Sequence, residues 1–479
     1  MIEPGKSRVA ILGVAIDNLT MEEVVDAIES KIAEGGFHQI ATANADFLMK
    51  SIHDEELHET LCRCDYVLAD GMPLVWASHL LGSGLKERVT GADLVPRLAE
   101  LSARRGYRIF LLGASEASSA GCAAWMNETY PGVCIAGRYS PRYQALEEMD
   151  HEEILSRIEA AKPDILLVSF GNPKQEKWLA MHRHRLKVPV CMGVGAAFDF
   201  LSGAVTRAPM WMQHCGLEWL YRTVQEPSRL AKRYASNAAG LIHYLPSQLV
   251  AMGVQSKSRS AAQIARETVG TAKVFRIDGD FTGALLSQFE ADVCGAVQSH
   301  SHVVLDLSKT AYIGADALGS LIYLKKIARR WNRELWLAGL NRIPAWVVRA
   351  ARLGSAFRMA ERVPEALRRI EPAHVPQSGS DWAFCRIGGQ LIPIHAQEVP
   401  EVYRQVHQLL TQRPAYEPIS AISRKGQEIG EPIENWPLRI ADEKATGSKP
   451  KRRGPAPETA YSGKWDSTPD GKLRETVVG

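Results

Sequence analysis

From Val9 to about Gly195 the chain alternates short, β-rich apolar runs with longer segments whose apolar residues recur at helical spacing. This is the sequence form of βα units. It predicts an α/β domain, a doubly wound, mainly parallel, Rossmann-like sheet with helices on both faces. Strands are expected at Val9–Val14, His38–Thr42, Tyr66–Leu68, Arg108–Leu112, Val133–Ala136, Ile165–Ser169 and Val190–Gly193. Between them, Thr20-Met-Glu-Glu23 has the form of a capping box opening a helix that runs to Gly35, and Gly91–Arg105 is an amphipathic helix closed by Gly106.

Beyond Gly195 the pattern becomes helix-rich, and Trp211–Met252 carries Arg222, Arg229, Lys232 and Arg233 among aromatic and aliphatic residues, which reads as a basic amphipathic appendage to a first domain of residues 1–252. Residues 253–271 are polar and small and are expected to be a linker. Residues 272–370 restart the alternation as a small α/β unit: strands at Val274–Ile277, Val303–Leu307 and Leu335–Ala338, helices at Leu285–Val297 and Ala317–Trp331, and a final helix ending near Ile370. The Pro-, Gly- and Ser-rich stretch 371–479 is expected to be a mostly disordered tail with one short helix at Val399–Leu410 and a basic patch at Lys449–Arg453.

Composition narrows the function. With 57 Lys+Arg against 54 Asp+Glu the net charge is only +3, which argues against a nucleic-acid partner. The 46% hydrophobic content suits soluble globular domains, no apolar run of about 18 residues occurs, and Met1–Arg8 lacks a signal-peptide layout, so a cytoplasmic protein is expected. Eight cysteines form no CxxC pair, which argues against a zinc ribbon or a disulfide scaffold.

In doubly wound sheets the ligand sits beyond the carboxyl ends of the strands, so the polar residues that follow each apolar run are the candidates. They are Thr42-Ala-Asn44, Asp70-Gly71, Gly113, Phe170-Gly-Asn-Pro-Lys-Gln-Glu176 and Gly193-Val-Gly195-Ala-Ala-Phe-Asp199. Thr42, Asn44 and Asp70 supply a hydroxyl, an amide and a carboxylate, enough to orient a sugar-like acceptor and take a proton from its hydroxyl. The plainer reading is that Asn44 and Asp70 cap the helices that follow. Gly193 and Gly195 would let backbone N–H groups approach an anion, but Phe198 stands where a dinucleotide fingerprint has its third glycine, which disfavours a nicotinamide enzyme. His182 and His184 lack metal-ligand partners at suitable spacing, so no metal is expected, and Asp278-Gly-Asp280 lies in the small second domain, away from the strand-end cluster.

Together with these segments, Arg88-Val-Thr-Gly-Ala-Asp93, Arg207-Ala-Pro209, Glu218-Trp219, Tyr221-Arg222, Pro227 and Arg229 resemble, in order over residues 9–245, the WecG/TagA/CpsF glycosyltransferases. The resemblance implies transfer of a sugar, N-acetylmannosamine or another hexose, from a UDP-sugar donor to a polyprenyl-diphosphate-linked acceptor at an anionic membrane surface. Inversion, and neither cofactor nor obligatory metal, are implied as well. It makes Asp70 the general base and Thr42 and Asn44 positioning groups. It assigns substrate binding to Gly113, Arg88, Asp93, Asn172, Gln175, Glu176, Gly193, Gly195, Asp199 and Arg207, with Arg222, Arg229 and Lys232 or Arg233 approaching the diphosphate.

Val274-Phe-Arg-Ile-Asp-Gly279, Val303-Val-Leu-Asp-Leu-Ser308 and Ile313-Gly-Ala-Asp-Ala-Leu-Gly319 resemble a STAS domain, the fold of anti-sigma-factor antagonists, which implies a protein partner. Asp316 stands at the position of the family's phosphorylatable serine and is the candidate regulatory residue. The alternative to an enzyme is a non-catalytic regulatory scaffold acting through this domain.

Overall fold

A computed structural model of the chain describes residues 7–255, 262–283 and 285–370, the side chains of His214 and Arg229 excepted, and the backbone of four short strands beyond them. The chain divides into a unit Met1–Ala373 and a unit His374–Gly479.

The first unit opens on a hairpin, β1 (Arg8–Ile11) and β2 (Val14–Asp17), that turns through Leu12 and Gly13, both at positive φ. Two left-handed residues give a turn whose twist matches that of its strands. The run Val9–Val14 is therefore not a single strand of the main sheet, as its apolar pattern predicted, because Gly13 folds it back on itself. Next come α1 (Met21–Glu34), β3 (His38–Ala43), α2 (Ala45–Ser51), α3 (Glu55–Arg63), β4 (Tyr66–Ala69), α4 (Met72–Leu80), α5 (Gly91–Arg105) and β5 (Arg108–Gly113). They are followed by α6 (Glu116–Thr129), β6 (Cys134–Tyr139), α7 (His151–Ala161), β7 (Ile165–Ser169), α8 (Lys174–Met181) and β8 (Val190–Gly193). The α1 capping box forms as expected, and Gly106 closes α5 in a left-handed conformation.

Strands β3 to β8 make one parallel sheet in the order β4-β3-β8-β7-β5-β6. Successive side chains alternate across it. Ile109, Leu111 and Leu167 join Ile28, Leu94 and Met126 on one face, while Phe110, Leu112 and Leu166 join Ile158, Trp178 and Leu179 on the other. Helices cover both faces, so the strands are apolar throughout and only their ends are free to carry chemistry.

After β8, the helices α9 (Ala197–Leu201), α10 (Met210–His214), α11 (Glu218–Gln225) and α12 (Pro227–Gly253) form the appendage. A second sheet follows, built from β9 (Gln263–Val269), β10 (Ala272–Phe281), β11 (His302–Ile313), β12 (Leu335–Ala338) and β13 (Arg358–Ala360) in the order β13-β12-β11-β10-β9. Its helices are α13 (Leu285–Gln298), α14 (Ala315–Arg330), α15 (Arg342–Ala350) and α16 (Val363–Ile370).

Two expectations are corrected here. Gln263–Val269 is not linker but an edge strand, antiparallel to β10, and its mostly exposed side chains explain its polar sequence. The final helix is two helices with β13 between them, because the chain turns after α15 through Arg352 at positive φ.

The hairpin and the six- and five-stranded sheets of this unit meet in one core, which joins Ile11, Val67 and Ala69 to Phe275, Leu305 and Leu321. The β1–β2 hairpin packs on α14 so closely that a Cβ at Gly319 would lie 2.8 Å from the Arg8 carbonyl carbon and oxygen. Buried Arg8 bonds Asp17 at 3.0 Å and Glu290 of α13 at 3.3 Å, and the Ser320 hydroxyl donates to Glu290 at 2.8 Å. Gln248 of α12 accepts from Leu12 N–H and donates to the Ala10 carbonyl, tying the appendage to the same hairpin.

In the second unit β14 (Trp382–Ile387), β15 (Gln390–His395), β16 (Ala421–Ile422) and β17 (Glu428–Ile429) form an antiparallel sheet. Two apolar runs separated by Gly388-Gly389 are a hairpin signal. The helix expected at Val399–Leu410 and the Lys449–Arg453 patch lie outside the described residues.

Candidate active site

The carboxyl ends of β3, β4, β5, β7 and β8 open into one cleft of about 1330 Å³, roofed by α11 and α12. Thr42, Asn44, Asp70, Arg88, Gly113, Asn172, Gln175, Gly195, Asp199, Arg207, Arg222 and Arg233 all line it, so the strand-end reasoning brings one site together.

Asp70 follows β4 directly. Helix α4 is capped by Gly71, at φ 144° and without a side-chain hydrogen bond, so Asp70 is not spent as a cap. Burial pushes its carboxyl up to about 7; Glu218 and Asp93 push the same way, and Arg88 and Arg207 oppose them. A carboxylate with that pKa accepts a proton near neutral pH, which is what a general base must do. Asn44, by contrast, is a cap: its Oδ1 accepts from Asp46 and Phe47 N–H at 3.0 and 3.3 Å, leaving its amide NH2 as the group the cleft can use. Thr42 donates to the Gly193 carbonyl at 3.2 Å, which ties the end of β3 to the end of β8.

Beside Asp70 lies a four-membered ion network. Arg88 reaches Glu218 at 2.9 Å and Asp93 at 3.4 Å, and Arg207 reaches Asp93 at 2.5 Å and Glu218 at 3.3 Å. These charges are largely satisfied by one another, so the network sets the field around Asp70 and joins α11 to α5. Arg222 and Arg233 stand outside this network: each has a buried Nε without a hydrogen-bond partner, as Arg207 has a buried Nη2, and Arg222 lies over the Phe200 ring at 5.1 Å. Unsatisfied guanidinium nitrogens in a cleft suit an anionic ligand such as a diphosphate.

Several assignments change. Gln175 is 1% exposed, and its Oε1 accepts from Gly171 and Gly195 N–H at 3.1 and 3.3 Å, so it clamps the two loops. Glu176 lies outside the cleft lining, is also 1% exposed, takes the Gln175 amide at 2.7 Å, and is pushed by burial up to about 8. Burial thus favours its neutral form, and it faces the core rather than the cleft. Gly193 faces this pair: a Cβ there would meet Gln175 Nε2 at 2.3 Å. Lys232 is exposed and off the cleft, while Arg233 faces it, because Arg233, Asn237, Leu241 and Leu245 share one stripe of α12. Arg229 lies in α12, and its side chain is outside what the structure describes.

Sequence reasoning missed Asp46, which holds Lys50 at 2.8 Å, Asn172 at 3.2 Å and Asn237 at 3.3 Å and so joins α2, the β7 loop and α12. Its only signal was an acidic residue in the first turn after the Asn44 cap. Trp76, Leu80 and Ile242, exposed at the rim, were missed too.

In the second sheet Asp316 is held fast. It accepts from the Thr282 hydroxyl at 2.8 Å, Gly283 N–H at 2.8 Å and Ala317 N–H at 2.9 Å, fastening the β10–α13 loop to the start of α14. Asp278 and Asp280 lie on β10, outside the cleft lining.

An open parallel sheet whose strand ends gather a proton-accepting carboxylate and anion-ready arginines defines a group-transfer enzyme of the α/β class. Residues 9–253 match the Glycosyl transferase WecG/TagA/CpsF family, and residues 263–366 match the STAS domain. The chain belongs to the WecG/TagA/CpsF glycosyltransferase family and carries a STAS domain after it. It is 30% identical to the N-acetylglucosaminyldiphosphoundecaprenol N-acetyl-beta-D-mannosaminyltransferase of Staphylococcus aureus strain MRSA252 over 228 residues, 47% of this chain and 88% of that protein. The same-named protein of strain MW2 is 29% identical over the same shares. An anti-sigma factor antagonist from Mycobacterium paratuberculosis resembles 24% of this chain over all of its own length, at 14% identity and a TM-score of 0.23.

Proposed function

We propose that the chain transfers a sugar, N-acetylmannosamine or another hexose, from a UDP-sugar to a polyprenyl-diphosphate-linked acceptor in bacterial surface-polysaccharide synthesis, with inversion at the anomeric carbon. The relatives' names supply the acceptor class. The observation that carries the mechanism is Asp70, its carboxyl pushed up to about 7, in the same cleft as Arg222 and Arg233, whose buried Nε atoms lack hydrogen-bond partners. Asp70 takes the proton of the acceptor hydroxyl as that oxygen attacks the anomeric carbon from the face opposite UDP; the bond to the UDP oxygen breaks, and the diphosphate leaves with both electrons. Arg222 and Arg233 stabilise the developing charge without a metal ion. Asn44 and Asn172 orient hydroxyls or amides, and Gly113, Gly195 and Asp199 shape the donor end.

A lipid-linked acceptor demands contact with a bilayer. Among the described residues no helix is long and apolar enough to cross a membrane. Trp76, Leu80, Met210, Trp211, Val224 and Ile242 are exposed on helices around the cleft, and the appendage adds basic residues, the composition of a surface that rests on an anionic leaflet at its inner face. The test is transfer from radiolabelled UDP-sugars to a polyprenyl-diphosphate acceptor, with EDTA in a parallel arm. No product with any UDP-hexose would refute the reading, and loss of activity in EDTA would refute the metal-free step. In vesicle sedimentation, Trp211→Ser with Ile242→Ser should release the protein from anionic vesicles; unchanged binding would remove the rim from the membrane contact.

A further inference from the structure

Strand β4, which ends at Asp70, is the edge of the six-stranded sheet. Its amino-terminal end is fastened from outside the transferase domain. Lys326 of α14 donates to the Cys64 and Asp65 carbonyls at 2.9 and 3.2 Å, and Arg330 donates to the Asp65 carboxylate at 2.6 Å. Asp65 in turn accepts from Gln39 N–H at 3.1 Å and faces His38 Nδ1 at 3.2 Å, which fixes the starts of β3 and β4 against each other. Burial alone would raise the Asp65 pKa, but His38, Arg330 and Lys326 outweigh it and hold the carboxyl well below the usual carboxylate range.

A second route reaches the same strand: Val67 N–H donates to Asp17 at 2.8 Å, Asp17 pairs with Arg8, and Arg8 pairs with Glu290 of α13. Strands β3 and β4 carry Thr42, Asn44 and Asp70 at their far ends. The five residue steps from Asp65 to Asp70 span only about 17 Å, so a tilt at Asp65 moves Asp70.

We infer that Lys326 and Arg330 of the STAS domain are positioning residues for sugar transfer, holding the β3–β4 pair so that Asp70 meets the acceptor hydroxyl. The domain then acts on catalysis within its own chain, whatever else it binds. The inference rests on Asp70 being the base.

The experiment compares kcat, KM, the pH–rate midpoint and Tm in the full chain for Lys326→Met with Arg330→Met, for Lys326→Arg with Arg330→Lys, and for Asp70→Asn. The double Met variant should lose about 10- to 100-fold in kcat with little change in donor KM and a displaced pH midpoint, since a misplacement of an ångström costs that much. The charge-preserving pair should recover most of the rate. Should the double Met variant fail to fold, Arg330→Met alone, which removes one partly exposed cation, should show the same kcat and pH effects at smaller size. A folded Met variant with wild-type kcat and pH midpoint overturns the inference, as does a loss that follows Tm alone. Full activity of Asp70→Asn would refute the base assignment instead, so the two failures are distinguishable.

Discussion

Asp70 and Asp316 both stand close after a strand, Asp70 in the turn before α4 and Asp316 in the first turn of α14, and they have opposite fates. Asp316 is saturated by a hydroxyl and two backbone N–H donors, and its loop is closed around it. Asp70 sits over an open cleft, with paired arginines and carboxylates near it and its proton affinity raised. A carboxylate whose lone pairs are filled by the fold fastens the structure, whereas one denied such donors is left to take a proton from something else. The difference lies in what the neighbouring loops bring, not in the position along a strand.

The largest test of this contrast is Asp70→Asn, which keeps shape and removes the base: kcat should fall about 100- to 10,000-fold. Full turnover by a folded variant would break the comparison. Next, Arg222→Gln with Arg233→Gln should lower kcat about 100-fold; a pure rise in KM would make them binding groups only.

The pH profile sharpens it further. A base with a pKa of about 7 in the free enzyme must be ionised to work, so kcat/KM should fall about tenfold per unit below that value. Stability should move the other way. The folded pKa lies above the unfolded value of about 3.9, so between those limits the folded state binds more protons, and stability declines as pH rises from about 4 to 7. Asp70→Asn removes that loss, and its Tm should exceed wild type by more at pH 8 than at pH 5; equal offsets would place the titration elsewhere.

The smallest effect belongs to Asp316→Ala, which should cost about 1 to 2 kcal/mol of stability through lost charge-assisted hydrogen bonds while transfer continues. A large loss of activity with Tm unchanged would give Asp316 the regulatory role that its sequence position suggests.

What was legible in the sequence follows from the same physics. Strands buried on both faces must be apolar, so the polar residues at their ends stand out, and Thr42, Asp70 and Asn172 were found that way. Helix phase was not used, which is why Lys232 was grouped with Arg233, although the cleft face of α12 runs through Arg233, Asn237, Leu241 and their neighbours Tyr234, Ala238 and Ile242 and leaves Lys232 out. The buried ends of Glu176 and Gln175 were illegible because polar residues at a helix start read alike whether they meet a ligand or another loop. The hairpin was missed for a related reason: an apolar run that reverses at Gly13 has the same composition as one that continues, and only a partner about 300 residues away explains why both halves are buried.

That separation matters during synthesis. The hairpin is made well before Gly319, on which it rests and which follows about 300 residues later, or roughly 15 to 60 s at typical elongation rates. Through that interval Arg8 and Asp17 lack Glu290, and the Cys64 and Asp65 carbonyls lack Lys326, so the start of β4 is fastened only after the STAS domain has been made.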